Sequence, residues 1–524
     1  MEIVQNRAVL VNTRQPHKIT EVLPKATVVK QVTLPNGQVG STVAVPWTLR
    51  GTKILHNLGF KKVPSPIIGK YDWPGVFKPF AHQKETAAFL TMHQRAYCLN
   101  DLGTGKSASV AWAADYLMNL GVIKRVLVIC PLSIMDCAWR ADLFKTLMHR
   151  RVDIAHGTPA KRRAVIASNA EFVLINYDGL GVVHKEIAAG GFDLIVCDEA
   201  SALQEVKTWR WKLVNQLIRP ETWLWLLTGT PAAQAPDKAY GLARLINPSA
   251  VPKHHGAFKD KVMMKVGQFR YVPRPEAQQI LHEVLQPAIR FTKEECLDLP
   301  EMTYVDREVP LTAQQQKYYD KLKQQMLIQA AGEEISAVNA AVQMGRLLQI
   351  STGSVYSDTG AVVEFDCTNR LNELKDIIEQ ADHKTLVFAN YTHSIDTIQA
   401  FLSKHNITND TINGSVPLKK RSEIIECFQK TDKVQVLVIQ PQAAAHGITL
   451  HAANTVIWFG PITSLEYYLQ ANARVHRAGQ KNPCTVIHLM GSGVEKQLYK
   501  RLRNKLGDHE GLLALYKSVI GMQS

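Results

Sequence analysis

Apolar runs alternate with amphipathic stretches in two parts of the chain. The first set lies between about residues 80 and 245, at 125–130, 172–176, 192–198 and 222–229. The second set begins near residue 384, at 384–390, 433–440, 454–460 and 484–490. These runs are apolar almost throughout, which is typical of parallel strands covered by helices on both faces. The pattern predicts an α/β protein with two tandem parallel-sheet domains.

The remaining segments differ from these two sets. Residues 1–70 are short β-type pieces with a hairpin pattern around Pro35-Asn36-Gly37, and a Pro-rich connector follows at 63–80. Residues 311–350 are helix-forming and polar on one face, as in a helical insertion. The sequence therefore predicts an accessory β-rich domain at 1–70, a first lobe at 71–250, a linker and helical insertion at 251–365, and a second lobe at 366–524.

The charge of the chain favours a polyanionic partner. The 524 residues include 61 Lys and Arg and 46 Asp and Glu, for a net charge of +15. Residues 1–70 contain ten of these basic residues and two acidic ones, so about half of the excess lies there. A basic surface kept for solubility would be spread more evenly, and nucleic acid is the favoured partner.

The composition also bears on location and metal content. No apolar run approaches the roughly 20 residues that a membrane-spanning helix needs, and the first residues lack the basic-then-apolar order of a secretion signal. The eight cysteines show no zinc-site spacing. We expect a cytoplasmic protein with reduced cysteines and no membrane contact.

A glycine-rich segment follows the apolar run at 97–99 and precedes a helical stretch. Its sequence is Asn100-Asp101-Leu102-Gly103-Thr104-Gly105-Lys106-Ser107. Glycines let backbone N–H groups approach a phosphate, a helix N-terminus adds partial positive charge, and a lysine meets the β- and γ-phosphates. The segment predicts that residues 103–106 bind nucleotide phosphates and that Ser107 binds Mg²⁺. The strict pattern has glycine where Asn100 stands, so a chance match is the alternative.

Two carboxylates, Asp198 and Glu199, end the strand-like run at 192–198. A carboxylate at this end of a parallel strand lies beside a phosphate loop on the same sheet, where it can hold Mg²⁺. We predict that Asp198 is a metal ligand and that Glu199 polarises the attacking water. The alternative is an acidic strand end in solvent.

A third pattern is Gln470-x3-Arg474-x-His476-Arg477-x-Gly479-Gln480. On a helix, residues 470, 474 and 477 would share one face. We predict such a helix, whose two arginines neutralise charge on the γ-phosphate as arginine fingers do. The alternative is a solvated basic helix that contacts nucleic acid.

With these motifs in this order, residues 78–505 resemble a superfamily 2 helicase-like motor of the Swi/Snf branch. Matching segments are Phe80-Ala81-His82-Gln83, 130–139, 174–178, Asp198-Glu199-Ala200-Ser201, Leu227-Thr228-Gly229-Thr230-Pro231, 386–402, 413–428, 446–461 and 470–480. The resemblance implies two RecA-like lobes that use ATP and Mg²⁺, with Gln83 on the adenine and Gly447 at the nucleotide. It also implies that Thr228-Gly229-Thr230 transmits the nucleotide state to the DNA side.

The function that the resemblance implies is ATP-driven translocation on double-stranded or branched DNA, in replication, recombination or repair. We expect a compact monomeric motor of bacterial or viral type that contacts mainly phosphates. A helicase that separates or anneals strands of branched DNA or RNA is the main alternative, and a DNA-binding scaffold with an inactive nucleotide site is a second one.

Three features depart from the family or lie outside it. Ser201 stands where His or Asp is usual, which bears on the coupling of ATP to nucleic acid. Gln440-Pro441-Gln442 and Ala443 to Ala445 replace a Ser/Thr- and Gly-rich stretch that would contact DNA. Residues 1–70 are either a module that binds a duplex or fork, or a structural cap on the first lobe.

Overall fold

The computed structural model describes residues 1–35, 37–229, 231–232, 235–266, 271–296, 298–332, 337–356, 362–444, 448–477 and 479–504. The chain divides into two compact units. The first unit contains Met1–Gly229, Leu242–Asn247 and Leu285–Thr292, and the second contains Thr230–Gly241, Pro248–Val284 and Lys293–Ser524. The four-part division at residues 70, 250 and 365 stays a prediction.

The chain begins with a small antiparallel sheet. Its strands are β1 (Glu2–Val4), β2 (Ala8–Thr13), β3 (Thr27–Thr33) and β4 (Val39–Pro46), in the order β1-β2-β4-β3. Three helices accompany it, α1 (Pro16–Thr20), α2 (Leu49–Asn57) and α3 (Ile67–Lys70). Thr33 pairs with Val39, which confirms the predicted hairpin.

This sheet has its own small core, but the helices that follow it do not belong to that core alone. Val9, Val43 and Trp47 are buried together in the small core. Leu49 of α2 and Ile67 of α3 are buried instead in the core of the large sheet that follows. Part of the segment 1–70 is therefore built into the first unit.

The first large sheet contains the strands predicted between residues 80 and 245. Its strands are β5 (Arg95–Cys98), β6 (Val126–Cys130), β7 (Val152–Ile154), β8 (Phe172–Asn176), β9 (Leu194–Asp198) and β10 (Trp223–Leu227). The helices are α4 (Ala81–Met92), α5 (Lys106–Asn119), α6 (Ala141–Thr146), α7 (Pro159–Ala167), α8 (Leu180–Ala189) and α9 (Trp209–Leu217). A π-helical turn (Met135–Arg140) and 3₁₀ turns (Leu132–Ile134, Tyr177–Gly179 and Ala200–Leu203) join some of them.

The segment that follows β10 adds a seventh strand to this sheet. The elements are α10 (Ala239–Ile246), α11 (His255–Val262), β11 (Met263–Lys265), β12 (Tyr271–Pro273), α12 (Ala277–Val284) and β13 (Ala288–Ile289), with 3₁₀ turns at Pro236–Lys238 and Pro248–Ala250. β13 pairs with β5 in parallel, and the order is β13-β5-β10-β9-β6-β8-β7. All pairs are parallel. Because β10 lies between β5 and β9, the segments that follow β5 and β9 leave the same sheet edge.

The second unit contains a six-stranded parallel sheet. Its elements are α13 (Lys293–Cys296), β14 (Met302–Glu308), α14 (Ala313–Gly332), α15 (Ala337–Ser351), β15 (Ser354–Tyr356), β16 (Val362–Glu364), α16 (Thr368–Glu379), β17 (Lys384–Phe388), α17 (Thr392–Lys404), β18 (Asn409–Ile412), α18 (Leu418–Lys430), β19 (Val436–Ile439), α19 (Pro441–Ala444), β20 (Ala453–Trp458), α20 (Leu465–Asn472), β21 (Cys484–Met490) and α21 (Gly493–Arg503). The sheet order is β14-β21-β20-β17-β19-β18. Helices α14 and α15 confirm the helical prediction for 311–350. The two parallel sheets confirm the predicted tandem RecA-like architecture.

A buried ion pair joins two helices of the second unit. Arg370 near the start of α16 and Glu495 in the first turn of α21 form a two-pronged contact, Nη1–Oε1 at 2.7 Å and Nη2–Oε2 at 2.9 Å. Arg370 also donates to the Phe459 carbonyl after β20. Removal of either side chain of this pair would lower the stability of the fold, because the other charge would stay buried without a partner.

Three further findings concern the composition. Among the described residues, no helix has the length and apolar character needed to cross a membrane. The described part of the chain also holds no group of three or more His, Cys, Asp or Glu side chains suited to a metal ion. The seven cysteines whose side chains are described form no disulfide.

Candidate nucleotide site and arginine turn

The glycine-rich segment forms a loop between β5 and α5 as predicted. Gly103 and Gly105 have φ of 86° and 80°, a region that side-chain-bearing residues rarely adopt. A Cβ on Gly105 would lie 2.1 Å from Gln83 Nε2, so a side chain there would displace the Gln83 amide. Helix α5 begins at Lys106, and its first N–H groups are available to an anion.

The Lys106 ammonium lies inside this loop. Its Nζ donates to the backbone carbonyls of Asn100 at 2.9 Å and Asp101 at 3.2 Å. Burial raises the pKa of the Cys98 thiol to about 11, Lys106 lowers it and Asp198 raises it. The geometry agrees, because Lys106 donates to two backbone carbonyls just after β5 and Asp198 ends a strand two places away in the same sheet.

Asn100 replaces glycine with a side chain that has a structural role. Its Nδ2 donates to Thr86 Oγ1 of α4 at 2.9 Å, and its Oδ1 accepts from the Phe291 N–H at 3.0 Å. The Asp101 N–H donates to the Phe291 carbonyl at 2.9 Å. The start of the loop is therefore fixed to α4 and to the segment after β13.

Gln83 lies at the loop, where its side chain bridges two backbone groups. Its Oε1 accepts from the Phe80 N–H at 3.0 Å, and its Nε2 donates to the Thr104 carbonyl at 3.2 Å. His82, which sequence reasoning missed, contacts the same carbonyl through Nε2 at 2.8 Å. Its position beside Gln83 was the available clue. Adenine recognition by Gln83 stays a prediction.

Asp198 ends β9 at the level of the phosphate loop. Leu227 of β10 pairs with Cys98 on one side and with Asp198 on the other. Two strand spacings therefore separate the chains at that level, roughly 10 Å. The carboxylate is fixed by the Trp139 indole, which donates to Oδ2 at 2.8 Å, and by the Glu199 N–H, which donates to Oδ1 at 3.0 Å.

The Asp198 carboxylate and the Ser107 hydroxyl are hard oxygen donors that suit Mg²⁺. Ser107 lies in the first turn of α5, one residue after Lys106. Since Mg²⁺ normally keeps several waters and phosphate oxygens as ligands, one or two protein oxygens suffice. The residues present fit the ion that the phosphate chemistry requires.

The peptide after Asp198 has an unusual conformation. Glu199 has φ 49° and ψ 55°, the left-handed region, which is costly for a residue with a side chain. The Tyr177 hydroxyl donates to the Asp198 carbonyl at 2.9 Å. Burial raises the pKa of Tyr177 well above its usual value, so the hydroxyl keeps the proton that it donates. Strain of this kind concentrates at functional sites and marks Glu199 as a candidate.

Trp139 and Tyr177 were missed as partners of Asp198 by sequence reasoning. Both lie in segments that were matched to the family, 130–139 and 174–178. Aromatic residues in apolar surroundings are more often core residues, so the pattern alone did not indicate their hydrogen bonds.

The segment after β10 also borders the phosphate loop. The Thr228 N–H donates to the Cys98 carbonyl at 3.1 Å, and a Cβ on Gly229 would lie 3.6 Å from the Asn100 carbonyl oxygen. Thr230 lies outside the described residues. The predicted role of 228–230 in transmitting the nucleotide state stays a prediction.

The predicted helix through residues 470–477 is wrong, because α20 ends at Asn472. Arg474 and Arg477 lie in the turn that follows, and we call residues 473–477 the arginine turn. Gln470, within α20, is buried. Beyond α20, Gln480 Nε2 donates to the carbonyls of Ala453 at 2.8 Å and His451 at 3.2 Å.

The two arginines differ in their surroundings. Arg474 is buried, and Arg477 is partly exposed and donates from Nη1 to the Ile448 carbonyl at 3.2 Å. Gly447, assigned to the nucleotide from the resemblance, lies outside the described residues. Lys106 belongs to the first unit and the arginine turn to the second. Their joint action on one phosphate stays a prediction.

Comparison with known proteins gives distant relatives. A relative from Caenorhabditis elegans, the SWI/SNF-related matrix-associated actin-dependent regulator of chromatin subfamily A-like protein 1 homolog, is 26% identical over 491 residues, 90% of this chain and 65% of the relative. DNA repair and recombination protein RDH54 from Saccharomyces cerevisiae (strain YJM789) is 23% identical over 443 residues, 74% of this chain and 47% of the relative. The chain thus spans less than two thirds of either relative.

A solved structure shows a weaker likeness. The Sulfolobus solfataricus SWI2/SNF2 ATPase core in complex with dsDNA has 20% identity and a TM-score of 0.42, over 86% of this chain and 99% of that one.

Family models match most of the chain. The helicase conserved C-terminal domain matches residues 369–479. The SNF2-related domain matches residues 16–354, which include the phosphate loop and the Asp198-Glu199 pair. Because that match covers more than half of the 524 residues, the chain belongs to the SNF2-related family.

Proposed function

We propose that this protein is an ATP hydrolase that drives movement along double-stranded DNA, in replication, recombination or repair. The observation that supports it most directly is the common sheet edge from which Lys106 and Asp198 emerge, on either side of β10. A lysine in a glycine loop and an acid at a neighbouring strand end are the parts that phosphoryl transfer requires.

Phosphate binding falls to the loop and the start of α5. Gly103, Thr104 and Gly105 present backbone N–H groups, and Lys106 moves from the Asn100 and Asp101 carbonyls to the β- and γ-phosphates. Ser107 and Asp198 would hold Mg²⁺, which would neutralise phosphate charge. Gln83, close to the loop, contacts the adenine, and Gly447 contacts the nucleotide as the resemblance implies.

Water activation falls to Glu199. The Asp198 carbonyl accepts from the Tyr177 hydroxyl, which restrains the peptide that joins Asp198 to Glu199. Glu199 orients the attacking water and accepts its proton. Arg474 and Arg477 neutralise the charge that develops on the phosphates during transfer.

DNA binding is proposed from charge and family. The net charge of +15 and the ten basic residues of 1–70 favour a polyanion. Lys18, Lys25 and Lys30 are exposed around the small sheet. One relative is named a DNA repair and recombination protein. Contacts to phosphates carry little sequence information, so we propose slight sequence preference.

The test measures ATP turnover with duplex DNA, single-stranded DNA, forked DNA and RNA, beside displacement of a third strand from a triplex. We expect stimulation by duplex DNA and triplex displacement without unwinding. Unwinding of forked substrates would favour a strand-separating helicase. Equal turnover with and without nucleic acid would reject the motor.

A further inference from the structure

The arginine turn is held at His476, the residue between Val475 and Arg477. Lys293 Nζ donates to the His476 carbonyl at 3.1 Å. The His476 ring contacts the Pro300 carbonyl through Nε2 at 2.8 Å. Since a carbonyl only accepts, the ring carries its proton on Nε2. Both contacts come from residues 293–300, more than 170 positions earlier in the chain.

The protonation state of the His476 ring is consistent with these contacts. Burial lowers the pKa of His476, the bond to the Pro300 carbonyl raises it, and the Lys293 ammonium lowers it again. The ring is therefore neutral near pH 7, and the cation beside the backbone is Lys293. A charged donor to a carbonyl is stronger than a neutral one.

Gln480, just after the arginine turn, holds the chain there and also donates to the Val475 carbonyl within the turn at 3.4 Å. Gln480 is buried, its Nε2 donates to the Ala453 carbonyl at 2.8 Å, and its Oε1 accepts from the N–H groups of Lys481 and Asn482, both at 3.0 Å. Helix α20 fixes the start. Lys293 and Pro300 thus fix the middle of a turn whose ends are already fixed.

We infer that Lys293 is a positioning residue for ATP hydrolysis. It fixes the His476 backbone so that the Arg477 guanidinium, one residue later, is held in its working position. This inference rests on the proposed function, because it assigns Arg477 to the phosphates. Loss of the Lys293 contact leaves the nucleotide-binding loop intact and slows phosphoryl transfer.

The test compares Lys293→Gln with Lys293→Arg, which keeps a charged donor, and with Lys317→Gln, a matched change of an exposed lysine on α14. We expect Lys293→Gln to lower kcat by roughly 10- to 100-fold, as small misplacements of catalytic groups do. KM for ATP and the rise in Tm with ADP should change less than twofold. Lys293→Arg should recover most of the rate, and Lys317→Gln should match the wild type.

A double-mutant cycle with Arg477→Ala tests whether Lys293 affects ATP hydrolysis through Arg477. If Lys293 acts through Arg477, Lys293→Gln costs almost nothing further in the Arg477→Ala background. Fully additive losses, or a Lys293→Gln rate equal to the wild type, would overturn the inference. Lys293→Met keeps the aliphatic stem and replaces Lys293→Gln if that variant does not fold. A wild type without ATP turnover rejects the proposed function instead.

Discussion

The Trp139 indole donates its N–H to the Asp198 carboxylate at 2.8 Å, and Trp139 is fully buried. Trp139 lies on the π-helical turn Met135–Arg140, a type of irregularity common at functional sites. A fixed donor restricts the orientation of the Asp198 carboxylate, the proposed ligand of Mg²⁺.

Trp139→Phe should weaken the use of Mg²⁺ more than it weakens folding. The change removes the donor and keeps most of the volume, and lost partners of a metal ligand typically cost 10- to 100-fold in metal affinity or activity. We expect the Mg²⁺ concentration for half-maximal ATP turnover to rise about 10-fold. Trp112→Phe is the matched control, since Trp112 is buried in the same unit and donates to the Pro74 carbonyl at 2.9 Å. Equal Mg²⁺ curves for both variants would contradict the role of Trp139.

Lys106→Ala and Glu199→Gln should separate binding from turnover. Without the ammonium, the β- and γ-phosphates lose their main cation, so Lys106→Ala should abolish ATP binding, measured with a fluorescent ATP analogue.

Glu199→Gln keeps the size of the side chain but cannot accept a proton, so it should bind ATP and fail to hydrolyse it. Turnover is measured by phosphate release. Normal activity of either variant would refute its assignment.

The exposed lysines around the small sheet should contribute to DNA affinity. A deletion of residues 1–70 would also remove Leu49 and Ile67 from the core of the large sheet, so substitution is the cleaner test. The triple change of Lys18, Lys25 and Lys30 to Gln should weaken duplex binding and lower the slope of log affinity against log salt by roughly 3.

The matched control changes three exposed lysines of the second unit, Lys317, Lys321 and Lys404, to Gln. It has the same net charge as the test variant. If the two triple variants have equal salt slopes, the small sheet is a structural cap and not a DNA-binding module.

His488 should make the second unit less stable in acid. Its ring is fully buried between Tyr468, whose hydroxyl lies 2.9 Å from Nε2, and Asp306, 3.0 Å from Nδ1, and it stacks on Tyr499. Burial lowers the pKa of His488 from 6.5 to about 4, Asp306 opposes the shift and Arg503 adds to it. Between pH 6.5 and about 4, His488 is therefore protonated in the unfolded chain and neutral in the folded chain.

The stability that His488 contributes is complete above pH 6.5 and is lost as the pH falls towards 4. We expect Tm to fall over this range in the wild type and to fall less steeply in His488→Phe. His17→Phe is the control, because this ring is exposed. Parallel Tm curves for the wild type and His488→Phe would contradict the assignment.

The sequence by itself predicted the features that depend on neighbouring residues. Apolar runs such as 172–176 and 194–198 form buried parallel strands because only such strands avoid water on both faces. The loop before α5 was predicted from Gly103 and Gly105, and both have positive φ angles that residues with side chains rarely adopt. Asp198 was predicted at the end of a strand because the apolar run stops there, and β9 ends at this residue.

Only the tertiary structure decided how these residues are held. Trp139 and Asp198 are 59 positions apart, and Lys293 and His476 are 183 apart, so no local pattern relates them. The spacing of Gln470, Arg474 and Arg477 suits a helix, yet α20 ends at Asn472. The backbone that follows has distant partners, since Lys293 donates to the His476 carbonyl and Gln480 donates to the Ala453 carbonyl. Helical periodicity is a local preference worth little per residue, and several hydrogen bonds from distant parts of the chain outweigh it.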